Sequence, residues 1–277
     1  MRMLCRFGMF AIAVSGLIAQ ETTPARGVNF YSIEKEQALG QQLAKEYRKG
    51  VTVIEDATVK AYLEDLGQRL AAKAGGPPFR YTFELVSDDG IVLNEPVAFP
   101  GGTVFVSASL IRAAHSEDEL AGMLAHAIAH IAARHGTKLA TRGELMDQAT
   151  IPLIFVGGWT GYAMRQGAAI AVPAGFAKLQ RQFELQSDAL AVQTMSAAGY
   201  DPRALVNYME RVLPADVAPP SPMKALPGHD ARLEALRKAV EVLPAAAYPA
   251  HDGFAAIQEA VARLDVKPAK APPRLAR

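Results

Sequence analysis

The spacing of apolar residues predicts two helices followed by short strands. Helical spacing begins after a cap-like serine, Ser32, and a second helical stripe extends from Asp56 to Ala74. Alternating apolar residues from Arg80 to Val86 predict a strand with one buried face, and Ile91–Leu93 and Thr103–Ser107 predict two more. The first part of the chain is therefore expected to combine helices with a small sheet.

The next predicted helix is apolar around much of its girth and should be buried. Ser116 and Glu119 form a capping box at its start, and Gly136 is expected to end it. Later helices are predicted for Phe176–Ala198 with a stop at Gly199, for a segment starting at Asp201-Pro202, and for Asp230–Val242. A proline-rich loop is expected over Leu213–Pro227.

The composition is that of a globular protein. Half of the 277 residues are hydrophobic and 21% are charged, and the net charge of +1 gives no reason to expect nucleic acid as a partner. The last residues, 267–277, are basic and proline-rich and are predicted to be a disordered tail.

The amino terminus has the pattern of an export signal. Arg2 and Arg6 precede an apolar run from Phe7 to Ala19, and cleavage is expected near Ala19. A membrane anchor is the alternative, although a run of about 13 residues is shorter than the roughly 20 that span a bilayer. Because the single cysteine, Cys5, lies in this segment, any metal in the mature chain must be held by histidine and carboxylate.

Two histidines, His126 and His130, lie four residues apart on one face of the predicted buried helix, where they can share a metal ion. The zincin motif H-E-x-x-H has a glutamate after the first histidine as general base, and here that residue is Ala127. Glu184 and Asp188 share a face of a later helix. Glutamate is a known third ligand beside two histidines, and an aspartate one turn on can orient a ligand histidine. Structural histidines and a solvated acidic face are the alternatives.

A strand beside this helix is a candidate for substrate binding. The segment beginning Gly101-Gly102 has the pattern of a strand that lies at a sheet edge. An extended peptide could pair with such an edge by strand addition. The residues assigned to this role are Thr103, Val104, Phe105 and Val106.

The motif helix, Ser116–His135, resembles the active-site helix of the HtpX-like and BepA-like zinc metallopeptidases, a group that includes the CAAX prenyl endopeptidases and the mitochondrial Oma-type proteases. Three other segments share the resemblance: Arg181–Asp188 with the R-x-x-E-x-x-x-D element, Ala198–Pro202 with A-G-Y-D-P, and Pro100–Gly102 with the P-G-G turn. Gly228–Leu236 loosely resembles a later His-Pro segment, with Asp230 in place of the proline and Arg232 earlier than the family's arginine.

The resemblance implies an α+β fold, a mainly helical gluzincin-type metalloprotease domain with a small β-sheet whose edge strand borders the active-site helix. It implies one zinc ion per chain, held by His126, His130 and Glu184, with Asp188 hydrogen-bonded behind a ligand histidine. His229 is expected to approach the metal and regulate it, and Arg181 is expected near the site, where it either pairs with a carboxylate or solvates its helix. Among the other histidines, His135 is expected to be structural, and His115 and His251 are expected at the surface.

The predicted domains are a signal peptide over residues 1–19, a metallopeptidase domain over 28–245, and a carboxyl-terminal extension over 246–277. The expected function is that of an exported zinc metalloendopeptidase of the periplasm or cell envelope, acting on extended or unfolded polypeptides and impaired by Ala127. The alternative is a zinc-stabilised pseudoprotease that binds polypeptides as a chaperone-like module. A metal-free helical protein is a third interpretation.

Three further questions stay open at this level. Ala127 is either an engineered knockout or the natural residue of a pseudoprotease, and the otherwise intact site favours the first. Ile151–Ala177 is either a hydrophobic lid or a segment that contacts a membrane. The sequence does not determine the oligomeric state.

Overall fold

The structure is a computed structural model that describes residues 28–88, 94–144, 174–212 and 229–264. These residues form nine helices and three strands. In chain order they are α1 Ile33–Gly50, α2 Ala57–Ala71, β1 Thr82–Val86, β2 Val97–Ala98, β3 Thr103–Ser107, α3 Ala108–Ala113, α4 Glu117–Ala132, α5 His135–Glu144, α6 Ala174–Ala198, α7 Arg203–Val212, α8 His229–Glu241 and α9 Phe254–Arg263.

The buried helix α4 is the centre of the fold. It packs against α2, α6 and α7, and almost every one of its residues is inaccessible to solvent. The mainly helical α+β architecture with a small sheet is confirmed. Because α4 is enclosed on several sides, polar side chains that it carries must find partners inside the protein.

The sheet has the strand order β1-β3-β2, so β3 is central and the prediction that Thr103–Ser107 is an edge strand is wrong. β1 pairs with β3 in parallel, with Thr82 opposite Thr103, while β2 pairs with it antiparallel. The physical reason is the burial of Val104, Phe105 and Val106, each at most 1% exposed, which favours a strand covered on both sides. The edge strand that borders α4 is instead the short β2.

The turn between β2 and β3 depends on two glycines. Gly101 and Gly102 have φ angles of 81° and 121°. Residues that carry a Cβ rarely adopt this backbone region. Phe99 N–H donates to the Thr103 carbonyl at 2.8 Å and closes the turn. This turn directs the chain back along β3 and leaves β2 beside α4.

Most predicted helix starts are confirmed by their caps. Ser32 accepts from the Lys35 backbone N–H, Asp56 from Val59 and Ser116 from Glu119. The carboxylate of Glu119 accepts from the backbone of His115, one residue before the cap position of a standard capping box. The second helix ends at Ala71, three residues earlier than expected.

The helix ends give one confirmation and one correction. α6 ends at Gly199, whose φ is 88°, and Tyr200 N–H donates back to the Met195 carbonyl at 2.9 Å, as in a Schellman motif. The prediction that Gly136 ends α4 is wrong, since α4 ends at Ala132 and Gly136 lies in α5. The left-handed residue between α4 and α5 is Arg134, with φ 60°.

Three helices were not foreseen, namely α3, α5 and α9. α9 packs against α2 and α3, and its Phe254, Ile257 and Val261 belong to the main hydrophobic core. The helix lies in the segment that the sequence analysis treated as an extension. The predicted signal peptide (1–19), strand 91–93, most of 151–177, loop 213–227 and tail 267–277 lie outside the described residues.

Within the described ranges, none of the helices combines the length and the apolar character that a bilayer span requires.

The close packing of α1 on the turn before β3 makes a testable prediction. A Cβ built at Gly40 would lie 1.6 Å from the Pro100 carbonyl oxygen. Gly40→Ala is therefore expected to lower the free energy of unfolding by roughly 1–3 kcal/mol, although alanine is the better helix former. Gly50→Ala, at the end of the same helix, meets no atom within 4 Å and serves as the matched control. Equal urea midpoints for the two variants would contradict this packing.

Candidate metal centre

The two histidines of α4 face each other. His126 and His130 are one helical turn apart, and their Nε2 atoms are separated by 3.2 Å. His126 is buried, whereas the side chain of His130 is 18% exposed. The capped, enclosed helix therefore presents two imidazole nitrogens at one point, with access from one side.

Glu184 of α6 completes a three-ligand group. Its Oε2 lies 3.6 Å from Nε2 of His126 and 3.8 Å from Nε2 of His130. The centre of the triangle formed by these three atoms lies about 2.1 Å from each of them, which is close to the bond length of zinc to nitrogen or carboxylate oxygen. Oε2 of Glu184 is buried and has no hydrogen-bond partner among the described residues. The donor set therefore fits a divalent metal ion, and these three side chains could hold one.

Asp188 lies behind His126, as the sequence analysis expected. Its Oδ1 is 2.9 Å from Nδ1 of His126, on the side of the ring away from Glu184. At this distance the carboxylate attracts a proton on Nδ1 of His126. A carboxylate in this position favours the tautomer that leaves Nε2 available for a metal.

Arg232 of α8 is a site residue that the sequence placed only in a loosely matching segment, with no role assigned to it. Its Nε and Nη2 donate to the two carboxylate oxygens of Asp188 at 2.8 and 2.7 Å, while Nη1 lies 3.7 Å from Glu184 Oε2. Arg232 is 3% exposed and neighbours the buried residues Leu233 and Leu236. An arginine within an apolar stripe was the available signal, since a buried guanidinium needs carboxylate partners.

Arg181, which was placed near the site, is exposed. Among the described residues no ion pair involves Arg181, and Asp188 is paired by Arg232 instead. His229 is the first residue of α8, but its side chain lies outside the described part of the structure, so its predicted proximity to the metal stays a prediction.

His135 supports the second histidine. Its Nδ1 lies 3.3 Å from Nδ1 of His130 and 3.1 Å from Ser187 Oγ, and its Nε2 lies 3.1 Å from Gln186 Oε1. The ring stacks on Phe183 at 4.1 Å. His135 thus restrains the ring of His130. The histidine that was expected to be structural therefore lies directly behind a candidate ligand.

The remaining two histidines differ from each other. His115 is exposed, as expected. The expectation of a surface position is wrong for His251, whose side chain is 15% exposed and stacks on Tyr200 at a ring separation of 4.4 Å. Its Nδ1 lies 3.6 Å from Glu117 at the start of α4. The carboxyl-terminal segment therefore contacts the motif helix, a contact that no local pattern announced.

Electrostatics favour a cation between the ligands. Burial lowers the pKa of His126, but its contacts with Asp188 and Glu184 outweigh burial and raise that pKa to about 9. Burial raises the pKa of Glu184, yet the neighbouring His130, His126 and Arg232 hold it well below its usual value. Either a proton or a metal ion satisfies this requirement, and a metal must displace the proton from His126 to bind.

A cavity opens above the three-ligand group. Ala127 lines it directly beside His126, and apolar side chains including Phe99, Ile131 and Leu139 form other walls. Two more carboxylates, Glu36 and Glu95, also line the cavity. The candidate three-ligand group therefore lies on the wall of an accessible cavity, next to Ala127.

Two histidines one turn apart on a buried helix, with a glutamate from a second helix as a candidate third ligand, form the arrangement seen in metallopeptidases. Residues 57–240 match the sequence profile of peptidase family M48. The chain belongs to this family.

Relatives with this similarity are proteases. The beta-barrel assembly-enhancing protease of Yersinia pestis is 29% identical over 240 residues, which cover 80% of this chain and 48% of the relative. Its Escherichia coli (strain K12) counterpart is 28% identical, covering 66% and 38%. The mitochondrial metalloendopeptidase OMA1 of Schizosaccharomyces pombe is 28% identical, covering 67% and 53%. The chain thus spans about half the length, or less, of these relatives.

The Arg232–Asp188 pair leads to a prediction for stability. Arg232→Met leaves the buried carboxylates of Asp188 and Glu184 without their guanidinium, so the free energy of unfolding should fall by roughly 3–5 kcal/mol. Arg237→Met on the same helix removes an exposed pair with Glu210 and should cost about 1 kcal/mol or less. Urea denaturation measures both. Similar small losses in the two variants would show that the buried pair is not needed.

Metal binding is predicted to depend on the three-ligand group. Elemental analysis after dialysis against zinc should find one ion per chain, and His126→Ala or Glu184→Gln should remove it. His115→Ala replaces an exposed histidine just before the same helix and should retain the ion. Zinc should also raise the melting temperature of the unaltered chain and leave that of His126→Ala unchanged, because binding to the folded state stabilises it. An equal zinc content in all variants would place the metal elsewhere.

Proposed function

We propose that this chain is a zinc-dependent metalloendopeptidase whose hydrolytic step is impaired by Ala127. The observation that carries the proposal is the spacing of the His126, His130 and Glu184 ligand atoms on the wall of an open cavity. Membership of peptidase family M48 supports the same conclusion.

Zinc held by His126, His130 and Glu184 would polarise a peptide carbonyl and lower the pKa of a water molecule. Two other residues would orient a ligand histidine and neutralise buried charge. Asp188 keeps His126 in the tautomer that binds through Nε2, and Arg232 compensates the buried charge of Asp188. Placing these groups before substrate arrives reduces the reorganisation needed during the reaction.

Ala127 removes the group that would accept the proton of the water. General base assistance contributes roughly 10² to 10⁴ in rate, so its loss reduces cleavage without removing the metal. Alanine is a strong helix former and its methyl group is buried in α4, so both histidines keep their positions. The proposal is therefore a protein that binds metal and polypeptide and cleaves slowly.

The substrate is proposed to be an extended or unfolded polypeptide. The strand that borders α4 is β2, so strand addition is assigned to Val97–Ala98 in place of residues 103–106. The net charge of +1 offers no attraction for nucleic acid. Export and action on proteins of the periplasm or envelope are proposed from the amino-terminal pattern and from relatives named for β-barrel assembly.

A second candidate function follows from Ala127 itself. A cavity with an intact ligand group and no general base next to His126 suits a zinc-stabilised pseudoprotease that holds polypeptides without cutting them, as a chaperone-like module does. The same alanine fits an engineered knockout. Restoring the glutamate separates a protease from a binding module.

Ala127→Glu is predicted to raise the rate of casein cleavage by about 10²-fold or more over the unaltered chain, because it restores a proton acceptor beside His126. Glutamine has the same size as glutamate but does not accept the proton, so Ala127→Gln should cleave casein at the rate of the unaltered chain. Release of soluble peptides from zinc-loaded protein measures all three. If Ala127→Glu and Ala127→Gln are equally inactive while retaining zinc, the binding module is the correct function.

A further inference from the structure

Three carboxylates line the cavity beside the three-ligand group, and two of them have other assignments. Glu184 belongs to the ligand triangle. Glu36 accepts a hydrogen bond from Arg134 Nε at 2.5 Å. This bond joins α1 to the short connection between α4 and α5. Glu95 is the third, and the proposed function does not use it.

Glu95 comes from the chain segment nearest the proposed substrate edge. It lies two residues before β2, the strand that borders α4, and its side chain is 5% exposed. Tyr208 donates its hydroxyl to the carbonyl of the preceding residue, Asn94, at 2.8 Å, which restrains the backbone there. The carboxylate is therefore built into the wall of the cavity.

One guanidinium relates Glu95 to the metal ligands. Arg232 Nη1 lies 3.9 Å from Glu95 Oε1 and 3.7 Å from Glu184 Oε2, so the two carboxylate oxygens are within about 8 Å of each other. Arg232 therefore links Glu95 electrostatically to the candidate ligand Glu184. Glu95 and Ala127 line the same cavity, and Ala127 provides no proton acceptor.

The surroundings of Glu95 suit a group that takes up and releases protons. Burial raises its pKa, and the attraction of Arg232 and His126 only partly opposes this. A carboxylate with a raised pKa binds a proton more strongly than an ordinary carboxylate does.

We propose that Glu95 is the proton acceptor for the residual hydrolysis of this Ala127 protein. As the water oxygen bonds to the peptide carbonyl carbon, one proton of the water passes to the Glu95 carboxylate. The same proton then passes to the amide nitrogen as the carbon–nitrogen bond breaks. One water is consumed, an acid and an amine are released, and Glu95 returns to its carboxylate form. This inference rests on the proposed function.

The test compares Glu95→Gln in two backgrounds, the unaltered chain and Ala127→Glu, using zinc-loaded protein and casein. In the unaltered chain Glu95→Gln should lower kcat/KM by about 10²-fold, because the proton acceptor is lost. In Ala127→Glu, where the helix supplies its own base, the loss should be about threefold or less, since the same step no longer depends on Glu95. Glu36→Gln, the other cavity carboxylate, is the control and should act alike in both backgrounds.

A binding measurement complements the rates. Acetohydroxamic acid combines a metal-binding group with a proton that a nearby carboxylate accepts. Glu95→Gln should weaken its calorimetric affinity about tenfold in the unaltered chain and leave it nearly unchanged in Ala127→Glu. Glu95→Asp keeps the charge opposite Arg232 but shortens the side chain by one methylene. It should retain zinc and lose cleavage, and it replaces Glu95→Gln if that variant does not fold.

The outcomes separate this inference from the proposed function. Equal losses from Glu95→Gln in both backgrounds, or full cleavage by Glu95→Asp, would make Glu95 a charge partner of Arg232 and overturn the inference. Cleavage by Ala127→Glu with none by the unaltered chain would also overturn it, yet leave the proposed function standing. No cleavage by either protein would remove both.

Discussion

The buried ion pair between Arg232 and Asp188 is the interaction on which the site depends. Helix α4 is enclosed by its neighbours, so its two histidines need carboxylate partners within the protein interior. Burying those carboxylates costs several kcal/mol each unless a cation compensates them. Arg232 meets that requirement with two hydrogen bonds to Asp188 and a third nitrogen near Glu184. Since Arg232 belongs to α8, the packing of a helix near the carboxyl terminus is a condition for the metal centre.

Both candidate ligand histidines are oriented from behind. Nδ1 of His126 lies next to Asp188, and Nδ1 of His130 lies next to His135. Nε2 of each ring is therefore directed at the common point before a metal arrives, which reduces the cost of binding. None of these contacts involves residue 127. The arrangement of the candidate ligands therefore does not depend on the side chain at position 127.

The candidate metal ligands and the proposed proton acceptor come from different parts of the chain. The helices α4, α6 and α8 carry the candidate ligands and the residues that neutralise them, and the segment around β2 forms part of the cavity wall. Glu95 belongs to that wall and shares Arg232 with Glu184. A proton acceptor in the wall would accompany the substrate edge, while one at position 127 accompanies the metal. The proposed proton acceptor therefore does not depend on the residue at position 127.

Local signals in the sequence determined the helix starts and the ligand spacing. The caps at Ser32, Asp56 and Ser116 act within three residues, and two histidines four apart share a face of any helix. Tertiary structure decided what depends on distant partners. β3 is central because β1 and β2 flank it, and α4 ends at a left-handed Arg134 whose side chain bonds to Glu36. Only the tertiary structure places Arg232 and Glu95 at the site. A buried charge is positioned by partners far away in the chain, and local spacing does not specify them.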